Sequence, residues 1–490
     1  MTTVLFSILL CVPLLVSAYC GLEKRRFPME TATWIGSTIT FLASVWLAIE
    51  VLQQNTLSSP QGWFYADALS GLLALIVSGS SLVTSLYSIG YLRRLASEEL
   101  ITDREIRLYY LLFNVFSFTM MFVLLANNLG FLWIGTEATT LATAFLVALY
   151  DRERSLEAAW KYVIICSVGI ALALFGIMLT YFSALHVVPT TANALNWSTL
   201  VSVSSHLDPA ILKLAFIFIL VGFGTKAGLA PMHTWKPDAY SEAPTPVSAL
   251  MAAGLVNVAL YALMRFHILV HRAVGGAFVS TLFMVFGLLS MGIVIPFVLL
   301  QRDYKRLLAY SSIEHVGIVV FALGIATPLA YFGALLHLLN NAIAKLLVFL
   351  SAGNVRLAYR SKIIRRVSGA ASVVPISATL FLLGIFAMTG WPPFGLFVSE
   401  FTIVSAGFAS GAMWGSVAFI IFVTALFGGF IYYACRMVFG PVTSTRGTGE
   451  AHTSTLILLG ILTTALLVLG VWIPEPLRTL LERAAAVFQQ

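Results

Sequence analysis

Glu137, Lys226, His337, Lys345 and Glu400 are titratable residues placed deep inside apolar stretches long enough to cross a bilayer. A charge at the centre of a membrane helix costs roughly 2.5–3.5 kcal/mol on insertion scales. Five such costs are hard to explain by packing. Acid, base and imidazole together are what binding and releasing protons in succession requires. His337, Asn341 and Lys345 fall at i, i+4 and i+8 in FGALLHLLNNAIAKLLVFL, so they line one helix face. Lys226 lies in GFGTKAGLAP, too deep in its segment to snorkel to an interface. Glu137, in FLWIGTEATTLA, is the counter-charge a buried ammonium needs, and Lys226 is its expected partner. Glu400 follows a second Gly/Pro cluster in TGWPPFGLFVSEF, at the place Lys226 has by the first.

Blander readings compete. A lone histidine on an apolar face is more often a packed core residue, but three polar groups on one stripe weaken that account. A structural Glu137–Lys226 ion pair would itself set the lysine's hold on its proton, so the two readings overlap. Glu314 and His315, in AYSSIEHVG, are further candidates. Lys161 and Lys213 lie near segment ends and serve equally well as orientation signals. Asp67 and Asp238 suit loops or caps. No Gly-rich nucleotide loop, CxxC cluster or paired-histidine spacing occurs, so neither a cofactor nor a metal site is expected. Cys11, Cys20, Cys166 and Cys435 read as small buried hydrophobes. Any redox chemistry coupled to this chain belongs to a partner.

The elements that must position these groups follow from composition. The 490 residues are 59% hydrophobic and 10% charged, with mean hydropathy +0.94. A soluble domain carries about 25% charged residues, so this is an all-α polytopic membrane protein. The net charge of +7 does not indicate nucleic acid, because the basic residues sit in short loops. Apolar segments fall near 2–20, 32–53, 67–92, 107–127, 129–149, 158–183, 209–240, 244–270, 276–300, 306–326, 328–355, 371–409, 411–437 and 453–473, fourteen spans in all. The N-terminal stretch has a signal peptide's length without its basic n-region, and reads as the first span.

The seventh and twelfth segments are long and hold Gly/Pro clusters (Gly222, Gly224, Gly228, Pro231; Gly390, Pro392, Pro393, Gly395), so both are expected to break. Broken helices five spans apart predict inverted repeats, with residues 107–270 and 271–440 as two five-helix units. Residues 1–106 supply three preceding helices, and 441–490 a last helix with an amphipathic tail. Most of the 28 Lys and Arg residues follow odd-numbered spans, among them Lys24, Arg93, Lys236, Lys305, Arg356 and Arg446, whereas even-numbered spans are followed only by Arg272. Both termini are therefore expected on the non-cytoplasmic side of the cell inner membrane.

The runs GTKAGLAPMHTWKPDAYSEAPTPVSAL, DYKRLLAYSSIEHVG, HLLNNAIAKLLVFL and TGWPPFGLFVSEF resemble the antiporter-like subunits of respiratory complex I, the multisubunit sodium/proton antiporters and the membrane-bound hydrogenases. AAWKYVIICSVGIALALFG and SSIEHVG look most similar to component F of hydrogenase-4. The resemblance implies proton movement along a central polar axis, driven by a peripheral redox arm and neighbouring membrane subunits. The alternatives it leaves are a sodium/proton exchanger and the membrane half of an inorganic-carbon uptake complex. By position, Glu137 matches the family's coupling glutamate, Lys226 the broken-helix lysine, Lys345 the bridging lysine and Glu400 the acidic terminus. Asn341 and Asn257 depart from it, standing where relatives carry histidine or lysine.

Overall fold

In hydrocarbon every backbone N–H and C=O must be satisfied within its own segment, so the apolar stretches fold as helices. The computed structural model describes residues 2–185, 187–188, 193–442 and 449–489; Arg446 lies outside them. Thirteen described helices are long and apolar enough to cross a membrane, and the chain is a multi-pass membrane protein. In order they are α1 (Thr2–Leu22), α2 (Arg26–Gln54), α3 (Ala68–Ser97), α4 (Asp103–Leu125), α5 (Leu129–Val147) and α6 (Glu153–Ala184). After the short α7 (Trp197–Ser202) come α8 (Pro209–Ala227) and α9 (Trp235–Glu242). The next crossing joins α10 (Thr245–Leu250) to α11 (Val256–Val274) through one π-helical stretch, Met251–Leu255. Then follow α12 (Gly276–Leu299), α13 (Tyr304–Ile325), α14 (Pro328–Tyr359), the short α15 (Ala370–Val373), α16 (Pro375–Met388), α17 (Gly395–Ala409), α18 (Met413–Phe439), α19 (Thr453–Val471) and α20 (Glu475–Ala486). A two-residue hairpin, Leu57–Ser58 against Tyr65–Ala66, precedes α3 and was not legible in the sequence.

The α10–α11 crossing, α13 and α14 form the buried centre, while α1, α6, α12, α18 and α19 form the rim. On α6, Trp160, Ile164, Val168 and Phe175 stay exposed, the apolar stripe a lipid-facing helix presents. The rim helices approach their neighbours closely at glycine contacts. A Cβ on Gly222 of α8 would come within 2.6 Å of the Ala173 backbone and Gly169 carbonyl of α6. Gly287 of α12 meets Gly317 and Phe321 of α13 in the same way.

Two segments stop in mid-course. α8 ends at Gly228, whose φ of +79° is the left-handed conformation that closes a helix, and the chain resumes as α9. α16 ends before Gly390, with φ +68°, and resumes as α17. The tail forms one short helix, α20. Its buried Leu480, Leu481, Ala484 and Ala485 pack against α3 and α14, so its apolar face is taken up by the bundle.

Candidate functional site

Three clusters of polar groups lie along the bundle interior, buried except for the half-buried Glu137 and Ser167 of the first. In the first, the close α6–α8 packing brings the last turn of α8 up to Tyr162. Lys226 Nζ donates to Tyr162 Oη at 2.7 Å and to Thr140 Oγ1 at 2.8 Å, and lies 4.9 Å from the Tyr162 ring centroid. Thr140 Oγ1 in turn donates to Glu137 Oε2 at 3.2 Å, while Ser167 donates to Glu137 Oε1 at 2.6 Å. Glu137 and Lys226 therefore meet through a hydroxyl and make no direct ion pair, because α5 and α8 both pack on α6 and leave a gap that Thr140 spans.

The second cluster sits in the break. Trp235 Nε1 donates to the Thr225 carbonyl at 2.9 Å, and its ring lies 4.6 Å from that of Tyr162. Lys236 is fully buried, with Nζ donating to the Ala227 carbonyl at 2.7 Å and to the Ser312 carbonyl at 3.4 Å. Lys236 and Lys305, expected in loops as orientation signals, both lie buried in the protein. The segment after α8 folds back into the protein as α9, and Lys305 Nζ donates to the Ala243 carbonyl at its end, 2.6 Å away. Beyond α9, a cavity of about 510 Å³ opens toward the surface, lined by Lys161, Asp238, Glu242, Asp303, Arg306 and Lys362 among others.

The third cluster joins α13, α14 and α17. Lys345 Nζ donates to Ser311 Oγ. His315 Nδ1 and His337 Nε2 share a hydrogen bond of 2.9 Å, and His337 Nδ1 continues to Ser399 Oγ at 3.0 Å. Glu314 is buried within electrostatic reach of Lys345 and of Glu400, whose carboxylate lies against Gly390 at the second break. A side chain at Gly390 would occupy the carboxylate's place.

One donor atom each from His315, His337 and Glu400 lies within 4.8 Å of the others, so these three could hold a metal ion. Sequence reasoning missed the set because its members come from three helices. The imidazoles are already hydrogen-bonded in a chain and Lys345 bears electrostatically on both, an arrangement that suits protons better than a cation.

Of the remaining candidates, Asn341 and Asn257 are buried, each with a side-chain oxygen lacking a protein partner among the described residues. Lys161 lies off the axis, pairing with Glu157 at 2.5 Å and Asp238 at 3.4 Å. Lys213 is exposed, 5.9 Å from the Phe278 ring centroid.

Residues 126–428 match the family model described as NADH:quinone oxidoreductase/Mrp antiporter, TM. The chain belongs to that family. All three clusters of the axis fall inside the matched region. Among members of this oxidoreductase/antiporter family, the chain is 36% identical over 409 residues to a hydrogenase-4 component F homolog of Methylacidiphilum infernorum, covering 84% of this chain and 85% of that one. It is 31% identical over 443 residues to NADH-quinone oxidoreductase subunit N of Desulforudis audaxviator, covering 86% and 83%. In fold it is similar to a chain of the membrane-bound sulfane sulfur reductase, an archaeal respiratory membrane complex, with TM-score 0.88 at 22% identity over 99% of this chain and 97% of that one.

The hydroxyls that meet titratable groups in these clusters, Thr140, Tyr162, Ser311 and Ser399, were not singled out in the sequence. Hydroxyls are common in membrane helices, and only helix packing distinguishes those that bridge charged groups from those bonded to their own backbone.

Proposed function

We propose that this chain is the proton-translocating membrane subunit of a larger complex of the complex I or membrane-bound hydrogenase kind, hydrogenase-4 type included. The observation that carries this reading is the series of titratable groups in the bundle interior, all buried except the half-buried Glu137: Glu137 and Lys226, then Lys345 and Glu314, then His315, His337 and Glu400, with the Thr140 hydroxyl bridging the first pair and serine hydroxyls meeting Lys345 and His337. The extent of similarity to the hydrogenase-4 component F homolog supports it. In this reading α16 and α17 form one interrupted crossing, which makes fourteen. Residues 107–270 and 271–440 are then inverted five-helix units, each with a titratable residue beside its break. The basic loops argue for termini outside the cytoplasm and insertion in the cell inner membrane.

Redox energy released in a partner arm disturbs Glu137, and Thr140 passes the change to Lys226. A weaker counter-charge loosens the lysine's proton, which moves through the interior to Lys345, the two histidines and Glu400. Carrying one charge across 100 mV takes about 2.3 kcal/mol. A two-unit change in proton affinity supplies about 2.7 kcal/mol, so the scale is adequate.

The test is the full-length chain in proteoliposomes containing a pH dye, driven by a potassium–valinomycin potential. Proton flux should be equal in sodium and choline salts. Thr140→Val should lower it about tenfold, the loss of one hydrogen bond to a charged group. Absence of protein-dependent flux would sink the reading. Flux that requires sodium would instead favour the antiporter reading, which the family's description includes.

A further inference from the structure

Among the described residues, no hydrogen bond between side chains crosses the interval between the Lys226 cluster and the Lys345 cluster. Asn257 and Asn341 do not fill it. Neither makes a side-chain hydrogen bond to either lysine among the described residues. Lys236 occupies the interval. One of its acceptors, the Ala227 carbonyl, belongs to the residue directly after Lys226. The other, the Ser312 carbonyl, belongs to the residue directly after Ser311, which receives the Lys345 ammonium. The Ser312 hydroxyl at this junction is buried and has no protein partner among the described residues. Lys236 is also close enough to Lys345 and His315 to repel positive charge on both.

We propose that Lys236 is the proton carrier that joins the two halves of the axis, taking a proton from Lys226 and passing it to Lys345. This rests on the transport reading above. The ammonium of Lys226 gives its proton to the neutral amine of Lys236, directly or through a hydroxyl or water. Lys236 then gives one to the neutral amine of Lys345 and is itself left neutral. The neutral amine keeps hydrogens with which to hold the Ala227 carbonyl, so the break need not rearrange as charge passes.

A competing account makes Lys236 only a cap for the carbonyl end of α8, as Lys305 caps α9 through Ala243. The surroundings of the two differ. Lys305 has Asp303 and Glu242 within electrostatic reach, whereas among the described residues no carboxylate bears electrostatically on Lys236. An ammonium buried without a counter-charge is costly to maintain, which suits a transient carrier better than a permanent cap.

The test compares Lys236→Gln and Lys236→Arg in the full-length chain, in proteoliposomes under the valinomycin potential, with Lys226→Ala alongside. Glutamine and arginine both keep a donor for Ala227, but neither can release a proton at working pH. The carrier role predicts that both lower flux about hundredfold or more, as loss of a positioned acid–base group does, with unfolding temperatures unchanged. Flux near that of the unsubstituted chain in either variant overturns the proposal. So does a loss of flux that appears only where the unfolding temperature also falls, which is the signature of a cap. If Lys226→Ala conducts normally, the transport reading itself fails. If Lys226→Ala is inactive while both Lys236 variants conduct, only the assignment of Lys236 is lost.

Discussion

Lys226→Ala is expected to cut proton flux about hundredfold or more, within the range lost when a positioned acid–base group is removed. In the first cluster the Lys226 ammonium donates to both the Thr140 and the Tyr162 hydroxyls. Without its ammonium, Glu137 and Thr140 remain bonded to each other but reach nothing on α8. Lys226→Arg separates two explanations of the loss. Arginine keeps the positive charge opposite Glu137, yet a guanidinium does not deprotonate in proteins. If Lys226 carries the proton, the arginine variant is as inactive as alanine. If Lys226 serves only to hold α5, α6 and α8 together electrostatically, arginine restores flux. The same proteoliposome assay reads both variants, and normal flux in Lys226→Arg would remove Lys226 from the path.

Helix positions were highly legible because hydropathy over some twenty residues is set by the lipid and needs no knowledge of neighbours. The segment expected at 328–355 is α14, Pro328–Tyr359, and the one at 276–300 is α12, Gly276–Leu299. The two interruptions were legible for a related reason: glycine and proline in mid-membrane have few uses apart from close packing and breaks. The stripe of His337, Asn341 and Lys345 follows from helical spacing, and all three are buried.

Contacts between segments were not legible. Lys236 looked like a loop residue because PMHTWKPDAY follows a break, and the sequence does not say whether the chain then leaves the bundle or turns back into it. Thr140 resembled any other membrane threonine. Glu137 and Lys226 were expected in direct contact, and only the shared packing on α6 shows why a hydroxyl stands between them.

Arg265 was missed altogether, and it supports a prediction about stability. Near the end of an apolar segment an arginine can ordinarily reach the surface. Instead it is buried in α11 and forms two hydrogen bonds with Asp67, at 2.6 and 2.8 Å. Asp67 also caps α3 by accepting from Ser70 N at 3.0 Å. The guanidinium lies 4.2 Å from the Trp197 ring centroid and 4.8 Å from that of Tyr261, and donates to Ser70 Oγ at 2.8 Å. The pair therefore ties α3 and α7 to the central crossing. Asp67→Ala strands a buried guanidinium and removes a helix cap. It should cost about 3–5 kcal/mol, the usual result of breaking a buried pair by removing one partner.

The double variant Asp67→Leu with Arg265→Met should recover most of that loss. Replacing a whole buried pair by apolar groups is often close to neutral, and here the cap on α3 is the one contribution it cannot restore. Unfolding in detergent would therefore rank the chains with the unsubstituted form highest, the double variant slightly below and Asp67→Ala far below. A double variant no more stable than the single one would mean that the aromatic cage around Arg265, and not its charge pairing, holds this corner together. Proton flux gives an independent check, because among the described residues the pair makes no hydrogen bond to the Glu137–Lys226–Lys345–Glu400 series. The double variant should conduct at the rate of the unsubstituted chain while Lys226→Ala does not, which separates the residues that hold the bundle from those that move charge through it.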